Sequence, residues 1–213
     1  MFDETKILVS SYVSTFNSTL ITFPLDSMKT WKQSNITRKP NIKNLYAGVM
    51  YPLLTNSFIN SLLFLSTEKT NNIMNNYFIS GFISGTTLSF IINPIDYFKV
   101  RKQINKEIKN PLTGLNLCIL RESIGCSIYF GVYNELKIRN YNDLISGGVS
   151  GATSWLFTYP IDVLKTRIQS DMSFKQAYKL GNFAHGLNYC IFRAALSNAI
   201  LFYTYQTLYN FIK

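Results

Sequence analysis

The chain has 213 residues and a formal net charge of +10; 47% of its residues are hydrophobic and 15% are charged. Because soluble domains usually carry about a quarter charged residues, this composition argues against a soluble globular protein. The basic residues cluster in short segments between apolar stretches, which fits anionic lipid and membrane topology better than nucleic acid. We therefore expect no nucleic-acid partner.

Six apolar segments follow one another along the chain. They cover residues 7–25, 47–67, 70–95, 111–134, 144–161 and 186–212. Charge interrupts only the fourth, at Arg121 and Glu122, and the sixth, at Arg193. Each is about as long as the ~17–25 residues that a spanning helix needs. We predict an all-α membrane protein with six transmembrane helices; the alternative, buried helices of a soluble bundle, fits these lengths less well.

One motif recurs at the ends of the first, third and fifth segments. It reads FPLDSMKTWKQ at residues 23–33, NPIDYFKVRKQ at 93–103 and YPIDVLKTRIQ at 159–169. The shared positions are Pro24, Pro94 and Pro160; Asp26, Asp96 and Asp162; Lys29, Lys99 and Lys165; Gln33, Gln103 and Gln169. Four identities in three places predict internal repeats. We assign one domain, 1–213, with repeats 1–70, 71–140 and 141–213, each a helix, a polar loop and a helix.

The motif combines a proline with an acid and a base three residues apart. Proline kinks a helix, and three kinks at one depth would bring three helix ends toward a common axis. Around a pseudo-threefold axis, each Asp can then meet the Lys of a neighbouring repeat, and the resulting ring closes a central cavity. The alternative, three surface pairs worth ~0–1 kcal/mol each, does not explain the recurring proline. A ring that breaks and re-forms suits alternating access.

Glycines mark further positions of the repeat. The pairs Gly81/Gly85 and Gly147/Gly151 have the spacing that lets helix backbones approach closely, and another glycine opens each even-numbered segment. Those three are Gly48, Gly114 and Gly186. The segments 29–43, 99–109 and 165–179, which run from the motif lysines into the following loops, hold fourteen of the 21 basic residues, so they should remain on the side from which insertion occurs. Both termini are then expected on the opposite side.

These features resemble the mitochondrial carrier family over nearly the whole chain. The resemblance implies six tilted helices around a water-filled cavity and a monomer in the mitochondrial inner membrane, with both termini facing the intermembrane space. It implies matrix-side ion pairs Asp26–Lys99, Asp96–Lys165 and Asp162–Lys29, a brace beneath them from Gln33, Gln103 and Gln169, and cardiolipin near Gly48, Gly114 and Gly186. Repeats of about 70 residues, against about 100 in the family, imply shortened matrix helices; only residues 173–180 look helical there.

The family's substrate contact points fall on Thr55, Asn56, Arg121, Glu122 and Arg193. Arg121 followed by Glu122 resembles carriers of amino acids and S-adenosylmethionine, since the arginine can bind a carboxylate and the glutamate an ammonium. We therefore expect transport of a small zwitterion. A nucleotide or deoxynucleotide exchanger, a non-transporting membrane scaffold, and a self-neutralising Arg121–Glu122 pair without a substrate role remain alternatives.

The second gate that the family places at the ends of even helices is mostly neutral here. Its positions read Thr67-Glu68 with Asn71, Tyr133-Asn134 with Lys137, and Tyr205-Gln206 with Tyr209. Glu68 and Lys137 could form one pair, and a weak second gate suggests uniport and a resting state with the ring closed. We expect no enzyme, no cofactor and no metal site, because Cys118, Cys126 and Cys190 lack ligand spacing and His185 is the single histidine.

Overall fold

The computed structural model describes the backbone of residues 2–211 and the side chains of 12–142, 145–193, 196–197, 200, 203–204 and 207–208. Its described residues form helices and connecting loops without strands, so the expected all-α fold is confirmed. The helices are α1 (Phe2–Gln33), α2 (Ile42–Leu45), α3 (Met50–Met74), α4 (Tyr77–Ile104), α5 (Leu115–Ile138), α6 (Asp143–Gln169), α7 (Phe174–Lys179) and α8 (Leu187–Phe211).

Six of the helices are long, and each overlaps most of one of the apolar segments. Their lengths run from 24 to 32 residues. Three stretches among the described residues are long and apolar enough to cross a membrane, namely Ile42–Met74, Tyr77–Ile104 and Leu115–Ile138. Large apolar side chains on these helices face outward, among them Phe58, Phe82 and Leu120, as expected where lipid is the solvent.

The polar loops after the motifs are short and carry two small helices. Helix α7 lies in the segment that the sequence predicts to be helical, and Ser173 and Gln176 form a capping box at its start. Helix α2, a single turn, is an addition to the expectation that only residues 173–180 would be helical. The loop between α4 and α5 has turns in place of a helix.

Close helix packing involves one of the two predicted glycine pairs. A Cβ added at Gly81 would lie 2.5 Å from the carbonyl oxygen of Cys126, and one at Gly85 would lie 2.4 Å from that of Glu122. Helices α4 and α5 therefore touch backbone to backbone. Gly147 has none of the described atoms within 4 Å of such a Cβ, and Gly151 has only Tyr129, at 4.0 Å. The expected close approach is wrong for this second pair, because α6 meets its described neighbours through side chains.

Each even-numbered long helix begins beside the motif helix of another repeat. The glycines in front of α3, α5 and α8 have φ values of 86°, 79° and 88°, a region that favours glycine. A Cβ at Gly48 would lie 3.0 Å from the Lys99 carbonyl oxygen, and one at Gly186 would lie 3.3 Å from that of Lys29. At Gly114 the nearest atom would be Cγ of Gln169, at 3.4 Å. These contacts bring the three motifs together at one end of the molecule, hereafter the motif end.

Candidate functional site

A cavity of about 470 Å³ lies between the long helices. The five residues that the sequence selects for substrate contact all line it, and so do the six charged residues of the motifs. Hydroxyl and amide side chains of α1 and α3 cover much of the remaining wall, including Ser18, Thr22 and Asn60. The cavity is therefore polar inside a molecule whose outer face is apolar, which is the arrangement a water-soluble ligand requires.

Three ion pairs close the motif end, each between different repeats. Lys29 Nζ lies 2.7 Å from Asp162 Oδ2, and Lys165 Nζ lies 2.5 Å from Asp96 Oδ2. Lys99 forms the third pair with Asp26. The structure thus brings together the acids and bases in the pairing that the resemblance implies. Lys165 and Lys29 are almost fully buried, so each depends on its carboxylate for compensation of its charge.

The three carboxylates differ in their additional partners. Asp162 Oδ1 lies 3.1 Å from Arg121 Nε, whereas Asp26 Oδ1 lies 3.6 Å from Arg193 Nε. Asp96 has Lys165, whose Nζ also donates to Cys118 Sγ at 3.1 Å. Two of the expected substrate-contact arginines therefore lie against carboxylates of the ring.

The residues proposed for substrate contact surround these arginines. Arg121 Nη1 forms an ion pair with Glu122 Oε1 on the same helix. Thr55 donates its hydroxyl proton to the Tyr51 carbonyl oxygen at 2.7 Å, and Asn56 lies beside it in the cavity wall. These residues supply two guanidinium groups, one carboxylate and neutral polar groups. Together they can bind a small ligand that carries both a positive and a negative charge.

The glutamines below the ring do not act alike. Gln33 Nε2 donates to Asp162 Oδ2 at 3.0 Å and so supports the Lys29–Asp162 pair. Gln103 Nε2 instead donates to Ser27 Oγ at 3.2 Å, and Gln169 Nε2 donates to the side chain of Asn93 at 3.3 Å. The described contacts therefore support one brace, at Gln33, whereas braces from Gln103 and Gln169 stay a prediction.

Trp155 belongs to the site although the sequence analysis did not select it. The centre of its ring lies 4.9 Å from Lys29 Nζ and 5.4 Å from Arg121 Cζ, so one aromatic ring contacts both cations that share Asp162. Its position in the sequence could have indicated this role, because Trp155 precedes Asp162 by seven residues and so lies two turns away on the same helix face.

One cluster resembles a metal site in composition. Asp96, Cys118 and Glu122 bring their ligand atoms within 4.8 Å of one another. Lys165 already contacts both Asp96 and Cys118, so an ammonium group provides the positive charge that a cation would supply. This cluster belongs to the ion-pair ring.

The opposite end of the molecule has a different character. Glu68 lies near Tyr77, at the start of the next helix. The expected pair of Glu68 with Lys137 stays a prediction. The side chains of Tyr205, Gln206 and Tyr209 lie outside the described residues.

Comparisons with known proteins agree with this architecture. The family model described as "Mitochondrial carrier protein" matches residues 137–213. The chain is 26% identical to the glutamate/glycine mitochondrial carrier of Schizosaccharomyces pombe, covering 100% of this chain and 88% of that protein. It is 26% identical to the mitochondrial basic amino acids transporter of Rattus norvegicus, covering 84% and 75%. It is 29% identical to the mitochondrial glycine transporter of Saccharomyces cerevisiae, covering 61% and 58%.

A polar cavity inside an apolar helical shell, closed at one end by ion pairs, defines a membrane transporter of small solutes. The comparisons agree on one family: the chain is similar to mitochondrial carriers, which are transporters. It is accordingly a membrane-embedded mitochondrial protein.

Proposed function

We propose that this carrier moves a small zwitterionic metabolite, an amino acid or S-adenosylmethionine, across the mitochondrial inner membrane by alternating access. In this proposal the six long helices are six spans, related as three repeats by a pseudo-threefold axis, and the protein works as a monomer. The motif end faces the matrix, and both termini face the intermembrane space. The relatives named for glycine, glutamate and basic amino acids support this substrate class.

The observation that carries the proposal is the state of two guanidinium groups in the cavity. Nε of Arg121 and Nε of Arg193 are buried, lie at ion-pair distance from ring carboxylates, and have no aligned hydrogen-bond acceptor among the described residues. A buried donor without an acceptor costs free energy. A carboxylate entering the cavity would supply the missing acceptor, and a guanidinium can take it with two hydrogen bonds.

Binding at these arginines would also loosen the ring. A substrate carboxylate on Arg121 competes with Asp162, and one on Arg193 competes with Asp26. The ammonium group of the same substrate binds the carboxylate of Glu122, which is then released from Arg121. The free energy of substrate binding is thereby directed at two of the three ion pairs, and differential binding of this kind is what shifts a conformational equilibrium.

A lipid site at the motif end forms a separate part of the proposal. A cavity of about 290 Å³ next to Gly186 is lined by apolar Met28 and Trp31, by His185, and by the cations Lys32 and Arg38. Together with the N-terminus of α8, these cations suit a lipid phosphate, and cardiolipin is the lipid we propose for this place. The corresponding places near Gly48 and Gly114 are proposed by analogy with it.

The test is uptake into proteoliposomes that contain the purified protein, with a panel of glycine, glutamate, arginine, S-adenosylmethionine and ATP. We expect uptake of at least one amino acid or of S-adenosylmethionine, and a loss of at least about tenfold in Arg121→Ala, since a buried charged hydrogen bond is removed. Arg139→Ala, an exposed arginine at the end of α5, is the matched control and should keep wild-type uptake.

Three results would contradict the proposal. Uptake that survives Arg121→Ala would remove this residue from the binding site. Uptake of ATP alone would make the protein a nucleotide carrier, and no uptake of any compound by folded protein would favour a scaffold.

A further inference from the structure

A second set of contacts lies at the motif end and involves backbone carbonyls. Helices α1 and α6 end at Gln33 and Gln169, and α4 ends one residue after Gln103. Carbonyls in the last turn of a helix have no partner within the helix, and the helix dipole makes this end negative. Each of these three carbonyl oxygens therefore needs a donor from elsewhere, and a cation is the favoured one.

Two of the donors are arginines at the same position of the motif. Arg101 Nη1 donates to the Gln169 carbonyl oxygen at 3.4 Å, and Arg167 Nε donates to that of Gln33 at 3.1 Å. Both arginines are 1% exposed. Each arginine thus links its own motif helix to the end of the next one in cyclic order, whereas each lysine of the ion-pair ring reaches the aspartate of the preceding motif.

The first repeat has tryptophan at this position. Trp31 Nε1 donates to the Gln103 carbonyl oxygen at 2.8 Å, and its ring packs with Val100 and Ile104 in an apolar cluster. The indole therefore fills the space and supplies one hydrogen bond. It brings no positive charge to the negative end of α4.

A guanidinium reaches the same carbonyl from the loop after α1. Arg38 Nη1 donates to the Gln103 carbonyl oxygen at 2.7 Å. A carbonyl oxygen has two lone pairs, so Arg38 and Trp31 can bond to it together. Ile36, two residues before Arg38, packs against the Trp31 cluster and fixes the loop so that Arg38 points to the helix end.

We propose that Arg38 replaces in space the arginine that the first repeat lacks at position 31, and that it thereby completes a ring of three cation–carbonyl contacts that holds the motif end closed. Arg38 is a positioning residue: it acts on the end of α4 and, through α4, on the Lys99–Asp26 pair. The proposal rests on the ring being the gate of the transporter proposed above. The contact between the first two repeats then differs from the other two in its arginine. Arg38 is partly exposed and comes from a loop, whereas Arg101 and Arg167 are buried in helices.

Opening of the motif end can be measured without a substrate. Cys118 is 0% exposed and contacts Lys165, so its alkylation by N-ethylmaleimide reports opening. The measurement uses the full chain with Cys126→Ser and Cys190→Ser in proteoliposomes. We expect Arg38→Ala to raise the alkylation rate about 5-fold, since a partly exposed charge-assisted hydrogen bond is lost, and Lys39→Ala, the neighbouring exposed lysine, to leave the rate unchanged.

Rescue separates a positioning role from general loosening. Trp31→Arg combined with Arg38→Ala restores the guanidinium at the family position, and we expect a rate within about 2-fold of wild type, since an arginine from position 31 can cap the same carbonyl. Arg38→Lys keeps the charge and should fall between wild type and Arg38→Ala, which preserves the test if the alanine variant does not fold.

Lys99→Ala distinguishes failure of this proposal from failure of the proposed gate. If Lys99→Ala accelerates alkylation and Arg38→Ala does not, the gate stands and Arg38 has no part in it. A double variant as fast as Arg38→Ala would also overturn the replacement of position 31 by Arg38. If neither single variant changes the rate, both the gate and this proposal are wrong.

Discussion

The two ends of the cavity contrast in how their helices are held together. At the motif end, three inter-repeat ion pairs lie above carbonyl contacts from Trp31, Arg38, Arg101 and Arg167. At the opposite end, the positions where the family carries acid–base pairs are mostly neutral in sequence. The charged contacts between helices therefore lie mainly at one end of the cavity. They stabilise the state in which the cavity is closed at the motif end.

The ring itself is uneven, and this refines the comparison. Asp162 contacts Lys29, Arg121 and Gln33, whereas Asp96 is paired with Lys165. Breaking the contacts of Asp162 should therefore cost more free energy than any other part of opening. The substrate-contact arginine Arg121 makes one of these contacts.

The largest expected effect comes from Asp162→Asn compared with Glu68→Gln at the opposite end. The first change leaves Lys29 and Arg121 without their shared carboxylate, and breaking a buried pair costs about 3–5 kcal/mol. We expect uptake to fall at least about 100-fold and the midpoint of thermal unfolding to drop. Glu68→Gln should change uptake less than about 2-fold, because Glu68 is exposed and such contacts are weak. Equal losses in the two variants would remove the contrast between the ends.

A smaller effect is expected at Trp155. Trp155→Ala removes the aromatic face from Lys29 and Arg121, and each cation–π contact contributes about 0.5–2 kcal/mol. We expect uptake to fall about 5- to 10-fold, and Trp155→Phe to retain more of it because a ring remains. Phe157→Ala on the same helix, at a residue 60% exposed, is the control. A Trp155→Phe variant as impaired as Trp155→Ala would argue against the cation–π role.

The mostly neutral opposite end predicts that transport depends little on exchange against a counter-substrate. Because few charged contacts stabilise the state open to the motif end, the empty carrier should be able to return without a substrate. We expect efflux of labelled substrate from proteoliposomes to rise less than about threefold when counter-substrate is added outside. Strict dependence on counter-substrate would show that the empty carrier cannot reorient.

The smallest effect is expected at Asp171, on the surface of the motif end. Burial favours the neutral carboxyl, but the hydrogen bond and charge of Arg101, with Lys106 and Lys109, outweigh it and hold the pKa of Asp171 below its ordinary value. Since the pKa is lowered in the folded state, its stabilisation is present at neutral pH and is lost as pH falls through the folded value.

Asp171→Asn should therefore lower the unfolding midpoint by about 1–3 °C at pH 7. The difference from wild type should shrink below about pH 4. Thermal unfolding of both proteins across pH 3–7 checks this, and a difference that stays constant with pH would show that the charge of Asp171 does not act.

Much of the site could be predicted from the sequence because the motif is local. Pro, Asp, Lys and Gln at fixed offsets on one helix have fixed relative directions, so three copies predict which acids and bases can meet. The substrate-contact positions were implied by the resemblance to the carrier family. Each of these five residues lines the cavity.

Other features needed the coordinates, and Gly147 is an example. Its spacing with Gly151 equals that of Gly81 with Gly85, yet α6 makes no close backbone contact there among the described residues. The spacing of two glycines allows another helix backbone to come close, but the position of the neighbouring helix determines whether it does. The same reason explains why the amides of Gln103 and Gln169 donate to Ser27 and Asn93, which the motif spacing alone does not indicate.

The sequence by itself determined the recurring motif and the all-α fold, since these follow from offsets and apolar lengths along the chain, and the resemblance to the carriers implied the pairing of the ring. Only the tertiary structure decided that Arg121 and Arg193 lie against the ring carboxylates, that Trp155 holds two cations, and that Arg38 caps α4. Those contacts join segments distant in the chain, and the path of a loop or the tilt of a helix sets them. No local pattern encodes that path, so it becomes visible only when the helices are packed.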